Sequence, residues 1–209
     1  MKMEEIKSEV IITSQQMFEK VNHFAKLERF IAVVLIFTPL LLYLADDCTT
    51  MELRDSYWFG SLLTLAGALF IYNGAQHMSV QKNEYLAAVE SRFGKGYNII
   101  FGLALFGVLF FNHVDYKVVH YSFAIIFFVG RALAMLLTKE TPLKRLGDFL
   151  GVLTLLSLGI HFLLSYVVGE ENNSFTLLWA EWLGLFLIAI YFIVESIDRG
   201  MREKSAGMV

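Results

Sequence analysis

The chain has 209 residues, 56% of them hydrophobic and only 18% charged, with a formal net charge of −3. That is more apolar and less charged than an ordinary soluble domain, and it offers no basic excess for nucleic-acid binding. One cysteine, Cys48, excludes an internal disulfide and a thiolate metal cluster.

The apolar excess is gathered into six stretches, at about 27–45, 57–74, 96–113, 115–137, 149–168 and 176–195. Each has roughly the 20 residues that a helix needs to cross a hydrocarbon core. The expected fold is an all-α membrane protein, a six-transmembrane-helix bundle in one domain. Residues 1–26 form a cytoplasmic N-terminal segment, 27–195 the six-span domain and 196–209 a cytoplasmic tail.

Residues 8–28 have a helical pattern, with Val10, Met17, Phe18, Val21, Phe24 and Leu27 on a loose apolar face. They predict either an interfacial helix on the cytoplasmic leaflet or a lead-in to span 1. The first apolar run starts only near residue 27, behind Glu4, Glu5, Glu9 and Glu19. No cleavable signal peptide is expected, so span 1 serves as address and anchor. Span 1 contains Thr38–Pro39, a kink signal. The connection at 45–56 is acidic, with Asp46, Asp47, Glu52 and Asp55 against Arg54.

Span 2 carries Gly60, Gly67 and Gly74 at heptad spacing, a packing stripe that lets helices approach in lipid. A second stripe there runs Tyr57, Ser61, Thr64 and Ala68. The next connection is polar, with a short helix expected between Glu84 and Arg92 and a turn at Gly94–Gly96. Spans 3 and 4 form a tight hairpin around Asn112–Tyr116. Spans 5 and 6 are joined by Gly169–Ser174.

The basic residues alternate by connection. Five Lys/Arg precede span 1, three lie in the second connection, three in the fourth and three in the tail. The odd connections hold only Arg54 and Lys117. The positive-inside rule therefore places both termini in the cytoplasm.

This orientation ranks polar residues by depth. His120 in span 4, His161 in span 5 and Glu181 in span 6 all fall roughly 7–10 Å below the outer surface at 1.5 Å per residue. His113 and Asp115 lie just above them. Ionisable groups at membrane depth are expensive, which makes these the candidates for function. Thr154, Ser157, His161 and Ser165 form a polar stripe, and His120, Ala124, Phe127 and Arg131 share one face. Arg131 is expected to snorkel towards the cytoplasm. His23, Asn73, His77, Glu195, Asp198 and Arg199 read as solvated or interfacial residues.

Three uses suit such a layer. It could contact lipid headgroups or a partner helix through Arg54, Asp55, His120, His161 and Glu181. It could hold zinc through His120, His161 and Glu181 or Asp55, and so hydrolyse a lipid amide or ester. Or it could carry ions or protons in a transporter. A membrane-protein partner or a homo-oligomer is compatible with all three.

Arg54–Asp55 with Gly60, the run Leu69–Phe70–Ile71–Tyr72–Asn73–Gly74, and His120 with Ala124 and Phe127–Phe128 resemble motifs of bacterial six-span membrane proteins of unknown function. Glu181–Trp182 resembles both these and the FRAG/DRAM/SFK six-span proteins. The outer stretch Asp46–Asp47–Cys48–Thr49–Thr50 departs from the Ser-rich segment of that pattern. A more remote likeness, to the CREST membrane hydrolases, lacks their paired histidines in the last span. The resemblance implies a protein of the bacterial plasma membrane concerned with lipids.

Overall fold

A computed structural model describes residues 23–41, 57–81, 96–111, 115–138 and 142–205. Outside the described residues lie 1–22 of the expected N-terminal segment, the acidic connection with Cys48, Arg54 and Asp55, the helix expected between Glu84 and Arg92, His113 and the last four residues.

The described residues form six α-helices and no strand. They are α1 (23–41), α2 (Tyr57–Gln81), α3 (Asn98–Phe110), α4 (Lys117–Leu136), α5 (Lys144–Val168) and α6 (Leu177–Ser205). A 3-10 turn, Glu170–Asn172, links α5 to α6. Gly169 ends α5 at φ +85°, a backbone that a Cβ would strain. In α1 the Thr38 hydroxyl donates to the Val34 carbonyl at 2.8 Å, just ahead of Pro39.

Sequence neighbours pack side by side: α2 on α3, α3 on α4, α4 on α5 and α5 on α6, with α4 also touching α6. On α1, Phe24 stacks against His77 of α2, and Arg29 reaches Ser196 of α6. The helices therefore follow one another round a ring that α1 closes. Its centre is aromatic and aliphatic. Phe70 sits edge-on to Phe127 and Phe192, among fully buried Ile31, Leu35 and Ile188.

The α2–α3 seam brings helix backbones together at glycines. A Cβ at Gly102 would stand 2.5 Å from the Gly67 carbonyl oxygen, and one at Gly74 would stand 2.7 Å from the Ile99 nitrogen. Gly60 is looser, with Leu109 Cδ1 at 3.9 Å. On α2, Ser61, Thr64 and Ala68 face outwards. On α5, Thr154, Ser157 and His161 are buried, and the two hydroxyls donate to the Leu150 and Thr154 carbonyls of their own helix.

Among the described residues, three helices are long and apolar enough to cross a membrane, Lys117–Leu136, Lys144–Val168 and Leu177–Arg199. α3 is apolar but shorter, 13 residues or about 20 Å. α1 and α2 are diluted by polar side chains, among them Glu28, Asn73 and His77. Those three are buried all the same, because their partners lie on other helices.

Candidate functional site

Of the residues singled out for the outer layer, His120, His161 and Glu181 are described, and they are not grouped as a metal-holding set. His120, at the start of α4, donates from Nδ1 to the Phe111 carbonyl at 2.7 Å and so ties the α3–α4 hairpin. His161 does the same for α5 and α6. Its Nδ1 donates to the Phe175 carbonyl at 2.8 Å. Beside it the Asn173 amide donates to Ser165 Oγ at 2.8 Å and accepts from the Phe175 N–H at 2.9 Å. Each imidazole thus spends a ring nitrogen on a backbone oxygen of its own hairpin. Among the described residues no three His, Cys, Asp or Glu side chains are grouped to hold a metal. Arg54 and Asp55 lie outside the described residues. Gly67 and Gly74 stand in the α2–α3 seam.

Glu181 lines a cavity. That cavity, of about 300 Å³, lies between α4, α5 and α6. Its floor includes buried Ala124, Phe128 and Leu158, and its rim includes exposed Ile125, Gly159 and Phe162. Neither His120 nor His161 contributes. Part of the space exists because Gly159 has no side chain, since a Cβ there would meet no atom within 4 Å. Glu181 is four residues past Leu177, about 6 Å along α6. No donor on a described residue meets its carboxyl. The result is an apolar groove on the flank of the bundle with one acid in its wall.

The opposite end of the bundle holds an ionic network. Asn73, His77, Arg131 and Arg199, read from sequence as solvated, interfacial or snorkelling residues, are instead buried, as is Glu28. Arg131 is fully enclosed. Its Nη1 donates to Asn98 Oδ1 at 2.9 Å, and the Asn98 amide donates to Asn73 Oδ1 at 2.6 Å. Nη2 stands 3.8 Å from the Glu195 carboxylate. The guanidinium also lies 4.4 Å from the Phe192 ring centre and 5.2 Å from that of Tyr191, positions that favour a cation over an aromatic face.

One turn along α2 and α6, Arg199 Nη2 donates to Glu28 Oε1 at 2.8 Å, and His77 Nε2 lies 3.9 Å from the same oxygen. Asp198, also buried, accepts the Leu143 N–H at 2.9 Å and pins α6 to the turn before α5. His23 remains exposed, near the Tyr72 hydroxyl. The network escaped the sequence because depth along a helix does not give rotation about it. The spacing of Asn73 and His77, and of Glu195 and Arg199, both four apart and so on one helix face, was the available signal.

The sequence pattern of DUF7103, a family of unknown function, matches residues 37–196, from the second half of α1 into α6. No curated protein and no solved structure matches the chain, and no likeness to the FRAG/DRAM/SFK proteins is shown by these comparisons. With more than half its length matched, groove and most of the ionic network included, the chain belongs to the DUF7103 family of unknown function.

Proposed function

We propose that the protein is a six-span integral membrane protein, with both ends in the cytoplasm, that takes a single apolar chain from the outer leaflet into the groove at Glu181. Three helices of spanning length and hydropathy support the membrane setting. So does the outward display of Phe110, Val118, Leu163 and Val167, since soluble monomers rarely expose large contiguous apolar surface. For the remaining spans, the support is that Glu28 of α1 and Asn73 and His77 of α2 meet partners inside the bundle. The charge alternation then puts the ionic network at the cytoplasmic end and the groove in the outer half.

The observation that carries the function is a carboxyl in the wall of an otherwise apolar cavity with a surface rim. A solute path through the centre is disfavoured by Arg131, which fills the axis among aromatic rings. The groove is small for a partner helix, which is about 10 Å across with its side chains. It lies at the lower end of small-molecule pocket volumes.

Photocrosslinking tests this reading. The full chain in bilayer nanodiscs is exposed to a hexadecyl probe carrying a diazirine on its chain. Labelling is expected on peptides containing Ile125, Gly159 or Phe162. Gly159→Phe, whose Cβ meets no atom within 4 Å and whose ring would occupy the groove, is expected to reduce it about tenfold, the equivalent of 1.4 kcal/mol. Labelling spread evenly over the helices and unchanged by Gly159→Phe would contradict the proposal. So would a dimer that Gly159→Phe dissolves, because the groove would then be filled by a second copy.

A further inference from the structure

We infer that the end group of the chain held in the groove is a hydrogen-bond donor, an ammonium or a hydroxyl, which meets Glu181. This rests on the groove being a chain-binding site and specifies what it accepts. The lining beyond Glu181 is apolar apart from the Tyr121 ring. Lys117, the basic residue at the start of α4, is turned to the Tyr121 ring at 5.8 Å and makes no ion pair with Glu181.

An ionised carboxyl is purely an acceptor, and a neutral one both donates and accepts. An ammonium satisfies the first form, and a hydroxyl satisfies either. A phosphate, sulfate or carboxylate end group would instead set like charge against an ionised Glu181 in a medium that screens poorly, and would meet a neutral one only through its single O–H, leaving the carboxyl's other oxygen without a donor. The volume of about 300 Å³ suits one chain rather than the paired chains of a phospholipid. The fitting class is therefore single-chain amines and alcohols.

The experiment is displacement of the hexadecyl photoprobe from the full-length protein in nanodiscs of zwitterionic lipid. The competitors share one chain length: hexadecylamine, hexadecanol, hexadecanoate and hexadecyl sulfate. The amine and the alcohol are expected to displace the probe about tenfold more strongly than the two anions, as one charge-assisted hydrogen bond implies. An amine-only advantage assigns the site to cations, and an equal advantage for both assigns it to donors in general. Either result upholds the inference.

In Glu181→Gln the preference is expected to shrink to about threefold or less while the probe still binds, because the amide keeps shape and loses charge. Equal displacement by all four competitors would overturn the inference and leave the groove standing. So would a preference untouched by Glu181→Gln. Failure of every competitor, with no effect of Gly159→Phe, would overturn the groove and the inference together.

Discussion

Arg131→Met is expected to destabilise the bundle by about 3–5 kcal/mol, the loss typical when one partner of a buried ion pair is removed. Methionine keeps an unbranched apolar stem and removes the charged guanidinium. Asn98 Oδ1 then loses its 2.9 Å donor, and Glu195 loses the cation 3.8 Å away. The rings of Phe192 and Tyr191 lose the guanidinium they face. For a chain of this size the melting temperature in detergent should fall by roughly 10 °C or more. Arg145→Met, at an exposed position on α5, should stay within about 0.5 kcal/mol. The double variant Arg131→Met with Glu195→Gln should melt above the value expected from adding the two single losses, because the stranded carboxylate is neutralised. A double-mutant cycle reads that coupling directly. Equal melting of Arg131→Met and Arg145→Met would mean that the network contributes nothing to stability.

The second large effect separates two glycines that look alike in sequence. Gly102→Ala places a methyl 2.5 Å from the Gly67 carbonyl oxygen and 3.0 Å from the Ile71 nitrogen. Both are backbone atoms of α2, so no rotamer change relieves the clash and the helices must part. Overpacking of this kind costs about 1–3 kcal/mol, sometimes more, and the better helix propensity of alanine offsets only about 1 kcal/mol. Gly159→Ala meets no atom within 4 Å and keeps the propensity gain of up to about 1 kcal/mol. The two variants should therefore melt on opposite sides of the parent. Thermal unfolding in one detergent, followed by circular dichroism, is sufficient to measure both.

These glycines show where the sequence stops. The heptad of Gly60, Gly67 and Gly74 is a visible pattern, and the last two stand in the α2–α3 seam. Gly102 and Gly159 fit no pattern, yet one is in tight contact and the other opens a groove. The helices themselves were legible, because apolar runs bounded by turn residues require little tertiary context. The inward face of α4 was legible in part: of His120, Ala124, Phe127 and Arg131, which share a helical face, Ala124 and Phe127 are buried as a core, His120 is half-buried, and Arg131 is enclosed rather than snorkelling.

Rotation and pairing were not legible. Glu28 and Arg199 are 171 residues apart, and hydropathy counts each as a polar intruder at a helix end. Together they form a bond that an interior tolerates. His120, His161 and Glu181 were expected at one depth, but the structure does not group them as a metal-holding set. Each histidine turned to the nearest backbone carbonyl left open at its hairpin, and Glu181 turned to the cavity.

Sides and depths all rest on the orientation of the bundle, which Cys48 can report without any substitution in the parent. A membrane-impermeant maleimide applied to intact cells expressing the full chain should label Cys48 from outside. In the Cys48→Ser background, Lys204→Cys should be labelled only after the membrane is permeabilised. Six crossings with both ends inside require that pair of results. Cys48 protected until permeabilisation, or both positions labelled from the same side, would contradict the six-span topology and with it the assignment of the Glu181 groove to the outer leaflet.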